Sequence, residues 1–428
     1  MSAGQVSGTL IGPAATASHA VAVLTDAAQL REPTAPATAA AKPSGRFVAL
    51  DGLRGIAALL VVFFHIGWPN HFTPTNFVRN GYLAVDLFFI LSGLVIYANY
   101  GVRINQFADA VRFLGLRFFR VYPLLIAMLG LFVLLESAKM VAQQKFGIVA
   151  GQPPFTGADT ADTLLANIFL LQGLHVLPRL TWNTPSWSIS CEFLAYVLFS
   201  ALVLTGLARH RLFPPVAAVT AATLYVGVAY GWGTLDVTYD WGILRCVAGF
   251  LLGMVIYRAR DDIQSINWQG LAGAGEVVLL ILLIATLSFA SGATLVMSVA
   301  VFVGLVALLQ FDHGPIAWIL MSRPAQFLGR VSYSIYMVHL VLLICMSIIV
   351  KRLFGVTVAI NPATQSPTFA IGLWPGDLLA FAAVVCVLAT ASVTYAVIEA
   401  PARRFGRMVL GASVKTDARL SSRRRAPL

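Results

Sequence analysis

The feature that most constrains the fold of this chain is a series of apolar windows, each long enough to cross a bilayer. A membrane-spanning helix needs about 20 predominantly apolar residues. Such windows recur from residue 48 to residue 400, and short polar or basic segments separate them. We place ten of them, at 48–68, 82–100, 119–137, 186–206, 214–232, 242–258, 275–291, 293–311, 331–352 and 377–400. The pattern predicts an all-α integral membrane protein in which about ten transmembrane helices form a single bundle.

Composition agrees with a membrane protein and argues against several other classes. Of the 428 residues, 58% are hydrophobic and 11% are charged, whereas about 25% are charged in soluble domains. The net charge of +11 does not indicate nucleic acid, because the basic residues cluster between the windows and at the end of the chain. The four cysteines lie in apolar windows without metal-ligand spacing, and none of the seven histidines has another four residues away. We therefore expect no metal site.

The two ends of the chain differ from its middle. Residues 1–45 are rich in Ala, Thr, Ser and Pro, and they lack both helical periodicity and the basic start of a signal peptide. We expect them to form a disordered cytoplasmic tail. Residues 409–428 are predicted to be a basic cytoplasmic tail that contacts anionic lipid head groups. Residues 46–408 are then the transmembrane domain. The distribution of Lys and Arg among the loops predicts that both termini are cytoplasmic.

The first window carries two polar residues, Arg54 and His65, that are unusual inside a membrane. Eleven helical steps of about 100° bring them back to one face, roughly 16 Å apart along the axis. Polar residues of this kind usually face a bundle interior or a wet cavity. The spacing therefore predicts a polar seam, with Arg54 near the cytoplasmic end and His65 near the outer end. The alternative is that Arg54 extends to the interface and His65 is a hydrogen-bonded packing residue.

Two carboxylates lie in the outer parts of later windows. At about 1.5 Å per residue, Asp86 and Glu192 fall at the depth expected for His65. A carboxylate beside an imidazole orients it and makes it a better base. We therefore expect His65 to be a general base and Glu192 to hold the imidazole or the acceptor. The alternative is a set of helix–helix hydrogen bonds worth about 1 kcal/mol each.

Two arginines, Arg117 and Arg120, precede the core of the third window on the predicted cytoplasmic side. They are three residues apart, so they project from the same side of a helix. Paired guanidinium groups suit phosphate oxygens, because each one forks to two of them. Anchoring at the cytoplasmic interface explains the same pair, and the spacing does not decide between the two interpretations.

Three further polar residues lie in or near the windows and receive no chemical role. Arg245 is expected to pair with Asp240 or with a carboxylate elsewhere. His339 lies near mid-membrane, where a lone histidine is expected to be a satisfied packing residue or at most to line a pore. Glu399 lies near the end of the last window, where water or a neighbouring cation can satisfy it.

Several sequence blocks, in this order along the chain, resemble the bacterial membrane acyltransferase family 3. They are Leu50-Asp-Gly-Leu-Arg54 with the Arg-x10-His pair, Gly81-Tyr-Leu-Ala-Val-Asp86-Leu-Phe-Phe-Ile-Leu-Ser-Gly93, Arg117-Phe-Phe-Arg120, Trp187-Ser-Ile-Ser-Cys-Glu192 and Tyr333-Ser-Ile-Tyr-Met-Val-His339. The ordered series is a more specific signal than any single block. The resemblance implies a ten-span enzyme of the bacterial inner membrane that O-acylates an extracytoplasmic glycan.

The resemblance also implies roles for matching residues. Arg54 and His65 correspond to the pair regarded as essential in the family, and Arg117 and Arg120 to a pair important for activity. The implied donor is cytoplasmic acyl-CoA, most often acetyl-CoA, used as a substrate and not as a permanently bound cofactor. We expect its phosphates to lie on Arg117 and Arg120. The fused hydrolase-like domain of some members is not expected here.

The block around Glu192 supplies further candidates for substrate binding. We expect Trp187 and Ser188 to bind the acceptor together with Asp86, although an aromatic belt at the membrane interface also accounts for Trp187. The expected partners are acyl-CoA, a carbohydrate acceptor and the lipid bilayer, without nucleic acid. A polytopic permease or exporter of polar solutes is the alternative, because the same residues would line its path.

Overall fold

The computed structural model describes residues 46–148, 152–266, 271–353, 355–360 and 367–423. The predicted disordered tail, residues 1–45, lies outside this part of the chain. From residue 47 onward the described chain is one compact unit of packed helices. In the described ranges two strands pair, β1 (Val358–Ile360) and β2 (Pro367–Phe369), and they are antiparallel.

Twelve helices of eight or more residues make up most of the described structure. They are α1 Val48–Phe64, α2 Ala84–Tyr100, α3 Phe107–Phe146, α4 Ala161–Ile168, α5 Trp187–Leu204, α6 Phe213–Gly231, α7 Gly242–Arg258, α8 Leu271–Phe289, α9 Val296–Leu309, α10 Arg323–Leu353, α11 Leu373–Thr394 and α12 Ala400–Arg423. Short helices occur at Asn76–Arg79, Arg260–Ser265 and Pro315–Leu320, with 3₁₀ turns at Asn80–Leu83, Thr184–Ser186, Leu207–Arg209 and Gly292–Leu295. A π-helical turn, Tyr395–Glu399, joins α11 to α12. The predicted basic tail is therefore helical as far as Arg423.

Eight helical stretches in the described ranges are long and apolar enough to cross a membrane. They are Asn76–Tyr100, Phe107–Phe146, Thr184–Leu204, Phe213–Gly231, Leu271–Phe289, Gly292–Leu309, Arg323–Arg352 and Leu373–Gly411. Each overlaps one of the ten predicted windows, so the protein is an all-α integral membrane protein. The break predicted at Ser291-Gly292 is also present, where Gly292 adopts a left-handed backbone with φ of 54°.

The other two predicted windows correspond to α1 and α7, which have 17 residues each. A helix of that length rises about 25 Å, slightly less than a hydrocarbon core of about 30 Å. The first window was predicted to extend to Trp68, but α1 ends at Phe64, ahead of Gly67 and Pro69. The count of ten spans therefore remains a prediction. These two short helices carry Arg54 and Arg245.

Backbone contact between α1 and α10 sets the geometry of the centre of the molecule. A Cβ on Gly55 would lie 2.4 Å from the backbone nitrogen of Gly329, and a Cβ on Gly329 would lie 2.1 Å from the carbonyl oxygen of Asp51. Only glycine at both positions allows the helices to approach this closely, as small residues do in other membrane bundles. The two helices run parallel, since Arg54 lies beside Ser332 and His65 beside His339.

Candidate active site

His65 follows the last residue of α1 and is the C-cap of that helix, with φ of −90° and ψ of 0°. Its ring Nδ1 lies 2.9 Å from the carbonyl oxygen of Val61. A carbonyl oxygen can only accept, so Nδ1 carries the hydrogen in the neutral ring and Nε2 carries the lone pair. The side chain is half-buried. The backbone of α1 therefore presents Nε2 of His65 as the basic nitrogen.

A second imidazole, that of His339, lies against His65. The two ring centroids are 4.8 Å apart and the ring planes are inclined by 61°. His339 is fully buried, and its Nδ1 lies 3.3 Å from the carbonyl oxygen of Ile335. The expectation that His339 is an ordinary satisfied residue is wrong, because its Nε2 is buried without a hydrogen-bond partner. The spacing within α1 could not reveal this neighbour, which comes from α10.

Ser188 belongs to the same region through Tyr336 of α10. The Ser188 Oγ lies 2.8 Å from the Tyr336 hydroxyl, which in turn donates to the carbonyl oxygen of Pro185 at 2.8 Å. The Tyr336 ring lies 5.9 Å from the ring of His339. Ser188 is therefore buried, and the side chain of Tyr336 lies between it and the ring of His339. Its role in substrate binding stays a prediction.

Trp187 and Asp86 belong to a different, more deeply packed cluster. Asp86 accepts from the guanidinium of Arg245 at 2.5 and 3.1 Å and from the hydroxyl of Tyr225 at 3.0 Å. Trp187 is buried with its ring 5.7 Å from the same guanidinium. Arg245 thus pairs with Asp86 and not with Asp240.

These contacts have a physical cause and change the interpretation of Asp86. In a low-dielectric interior two opposite charges are favourable only when they are paired and hydrogen-bonded. Both Asp86 oxygens are used in this way, and its side chain is 0% exposed. The structure thus gives Asp86 protein partners in place of the acceptor expected from the sequence. Likewise Trp187 is a buried core residue. It belongs neither to an aromatic belt at the membrane interface nor to an exposed surface that could bind a sugar ring.

Arg54 is directed into the bundle, as the sequence predicts. Its Nε donates to the Oγ of Ser332 at 3.0 Å and its Nη2 to the carbonyl oxygen of Gly329 at 3.0 Å, while Asp51 lies at 3.1 Å. The alternative in which Arg54 extends to the interface is therefore wrong. Both polar residues of the first window face α10, about 16 Å apart.

Glu192 lies closer to Arg54 than to His65. Its Oε1 accepts hydrogen bonds from Ser92 Oγ and from Tyr196 hydroxyl, both at 2.6 Å. Ser92 is six residues beyond Asp86 on α2, which is about 9 Å deeper. Glu192 makes no hydrogen bond to His65 in the described structure, and it is within electrostatic range of Arg54. The expected contact in which Glu192 holds the imidazole is therefore absent from the described residues.

Around Arg54 the structure assembles what we term the inner cluster: Arg54, Arg120, Glu192 and Glu399. Arg120 is within electrostatic range of both glutamates, and Arg54 is within range of Arg120 and both glutamates. Arg120 takes part in none of the hydrogen bonds found in the described ranges. Its guanidinium therefore has capacity for a ligand.

Glu399 is the member of the inner cluster that sequence reasoning missed. It ends the π-helical turn between α11 and α12, is 2% exposed, and accepts from the Oγ of Ser334 at 3.0 Å. Its other oxygen accepts from Nη1 of Arg403, four residues further on, at 3.5 Å, so the neighbouring cation expected from the sequence is present. The contact with Ser334 of α10 was not expected. A glutamate in an apolar window was the available signal, and π-turns are frequent at functional sites.

Arg117 lies one turn before Arg120 on α3 and, unlike Arg120, has a hydrogen-bond partner in the described structure. Its Nη2 donates to the hydroxyl of Tyr100 at 3.2 Å, and its guanidinium lies 5.3 Å from the Tyr100 ring and 5.8 Å from that of Phe113. Its Nε is buried without a partner. The two arginines share one side of α3, as predicted.

One stretch of α10, from Ser332 to His339, connects the two parts of the site. Ser332 binds Arg54, Ser334 binds Glu399, and His339 lies on His65. The structure thus has the inner cluster, with its two arginines and two glutamates, at one end and an imidazole base at the other, both beside one helix. This arrangement can hold an anionic group about 16 Å from a nucleophile that loses a proton. In the part of the chain that the structure describes, no three metal-ligating side chains lie together.

The comparison with known families gives this arrangement a chemical class. The model of the acyltransferase domain Acyl_transf_3 matches residues 47–396, which include every residue of the site except Glu399. The chain belongs to acyltransferase family 3. It is thus a membrane acyltransferase, and the permease alternative is not carried further.

Individual relatives agree with this assignment. The chain is 29% identical over 313 residues to BcsY of Komagataeibacter xylinus, a protein named as a membrane-bound transacylase. The matched region covers 69% of the chain and 73% of that protein. The chain is 32% identical to protein 2 in the picA locus of Rhizobium radiobacter, across 44% of the chain and 97% of that protein. It is 30% identical to the acyltransferase MdmB of Streptomyces mycarofaciens, across 42% of the chain and 46% of that protein. No solved structure matches the chain.

Proposed function

We propose that this acyltransferase moves an acyl group, with acetyl as the expected one, from cytoplasmic acyl-CoA to a hydroxyl of an extracytoplasmic glycan. A lipopolysaccharide or an exopolysaccharide is the expected kind of acceptor, and the bacterial inner membrane is the expected location. The observation that carries the proposal is that Arg54 and His65 both face α10, which joins the inner cluster to a base.

The donor occupies the end that contains the inner cluster in this proposal. Its phosphates bind Arg120 and Arg117, since planar guanidiniums fork to phosphate oxygens. Its pantetheine arm extends past Arg54 along α10. An extended arm of this kind is comparable with the distance of about 16 Å between Arg54 and His65. The thioester then lies near His65, where an acceptor hydroxyl arrives from the other side of the membrane.

The transfer step uses His65 as the general base. The hydroxyl proton moves to Nε2 of His65 while the hydroxyl oxygen bonds to the thioester carbon. The tetrahedral intermediate then collapses, the carbon–sulfur bond breaks, and its electron pair leaves on the CoA sulfur. His65 returns the proton to that sulfur, so the products are the O-acyl ester and the free thiol of CoA. General base catalysis of this type contributes about 10² to 10⁴ in rate.

The proposed function is tested in proteoliposomes that separate donor and acceptor. Acetyl-CoA labelled in the acetyl group is placed on one side and the acceptor polysaccharide on the other. We expect the label to appear on the polysaccharide together with one free CoA thiol for each acetyl group transferred. Release of CoA without labelling of a carbohydrate would exclude the glycan acceptor, and the absence of CoA release with any acceptor would exclude acyl-CoA as the donor.

Arg120→Ala is expected to weaken donor binding. A hydrogen bond to a charged group is worth about 1.5–3 kcal/mol, so the KM for acetyl-CoA should rise by about 10- to 100-fold. The KM for the acceptor should change little, because Arg120 belongs to the inner cluster, which lies beside Ser332 and Ser334 of α10, whereas His65 lies beside His339. Steady-state kinetics in which each substrate is varied in turn measure both values.

Two further variants keep this result interpretable. Arg120→Lys retains the charge opposite Glu399 but not the fork, and we expect an intermediate KM for the donor. Arg103→Ala removes an exposed cation before α3 and should leave both KM values unchanged. A rise in the KM for the acceptor alone in Arg120→Ala would refute the phosphate-binding role.

A further inference from the structure

His339 has a feature that the proposed function does not explain. Its Nε2 is buried without a hydrogen-bond partner, and its side chain is 0% exposed. An unpaired buried polar atom costs about 1–3 kcal/mol, and in the apolar interior of a bundle no bulk water compensates it. Such atoms are few in native proteins and usually have a role.

The partner that can reach this nitrogen is the imidazole of His65. The rings are 4.8 Å apart between centroids, and an imidazole nitrogen lies about 1 Å from its own ring centre, so direct contact between ring nitrogens is possible. The backbone contact between Gly55 and Gly329 fixes α1 against α10 and thereby the separation of the rings. The proximity is therefore a consequence of the main-chain packing.

The hydrogen bonds of both rings point to the same protonation state. In each histidine Nδ1 donates to the carbonyl oxygen four residues earlier, which is Val61 for His65 and Ile335 for His339. In the resting state each Nε2 is then an acceptor, and neither ring has a proton to give to the other. One added proton changes this, because an Nε2–H on His65 can donate to Nε2 of His339. Two added protons would place like charges in contact.

We propose that His339 is a positioning residue that accepts the hydrogen bond of the imidazolium formed on His65 during acyl transfer. When the acceptor hydroxyl gives its proton to Nε2 of His65, the new N–H stays directed at the substrate oxygen. Nε2 of His339 accepts from it as the second partner in a three-centre hydrogen bond while the tetrahedral intermediate exists. The same proton then passes to the CoA sulfur, and both rings are neutral again. The inference rests on the proposed role of His65 as the base.

The role is tested with four variants of His339 in the full chain. His339→Gln keeps an oxygen that can accept a hydrogen bond, whereas His339→Leu and His339→Phe fill the space without an acceptor. We expect kcat to fall by about 10- to 100-fold in the Leu and Phe variants and by less in the Gln variant. The KM values for donor and acceptor should stay near those of the wild type. Exogenous imidazole should restore part of the activity of His339→Ala.

A purely structural role gives a different order of activities. Leu and Phe are at least as compatible with an apolar core as Gln, so packing alone predicts that His339→Leu is as active as His339→Gln or more so. That order, or a change in KM without a change in kcat, would overturn the inference. Val338→Ala, which trims a buried neighbour, controls for altered packing of α10. Wild-type protein without transfer activity would instead contradict the proposed function itself.

Discussion

His65→Ala is expected to abolish measurable acyl transfer in otherwise folded protein. The variant removes the nitrogen that receives the hydroxyl proton, and we expect a loss of about 10² to 10⁴ in kcat. The fold should survive, because His65 caps the end of α1 and is only half-buried, so that no large cavity forms. The measurement is acetyl transfer in proteoliposomes, with the melting temperature of the purified protein as the check on folding.

A neighbouring histidine provides the matched control. His71 lies six residues further on, in the same connection, where its Nδ1 is 2.5 Å from Oδ2 of Asp377 and its side chain is 43% exposed. His71→Ala should therefore keep wild-type kcat. Wild-type activity in His65→Ala would remove the general base from the mechanism, and with it the role of His339.

Asp86→Leu is expected to destabilise the protein strongly. It leaves the guanidinium of Arg245 buried and without its counter-charge, and removal of one partner of a buried ion pair costs about 3–5 kcal/mol. We expect a clear fall in the melting temperature and poor recovery from the membrane, measured by fluorescence-detected size-exclusion chromatography. Tyr225→Phe removes one hydrogen bond to Asp86 and should cost about 1 kcal/mol.

The double variant Asp86→Leu with Arg245→Met separates structure from substrate binding. Replacing both charges by apolar side chains of similar size is often neutral for stability, so we expect folding and acyl transfer to recover together. If stability recovers while the KM for the acceptor remains raised, Asp86 binds the acceptor as the sequence predicts. If Asp86→Leu alone is fully stable, the ion pair does not have the structural role argued here.

The sequence by itself predicts features that depend on one helix at a time. Apolar windows locate the spans because any stretch of about 20 apolar residues is stable as a membrane helix. The shared face of Arg54 and His65 follows from the 3.6-residue repeat, and the structure places both against α10. The pairing of Arg117 with Arg120 along one side of α3 has the same origin.

The tertiary structure decided which residues from different helices meet. Asp86 pairs with Arg245, Glu192 with Ser92, and His65 with His339, and none of these pairs follows from spacing along the chain. Depth along a helix follows from a fixed rise per residue, but lateral neighbours depend on the tilt, rotation and order of the helices. Those quantities are set by packing between residues far apart in sequence, such as the glycines that bring α1 onto α10.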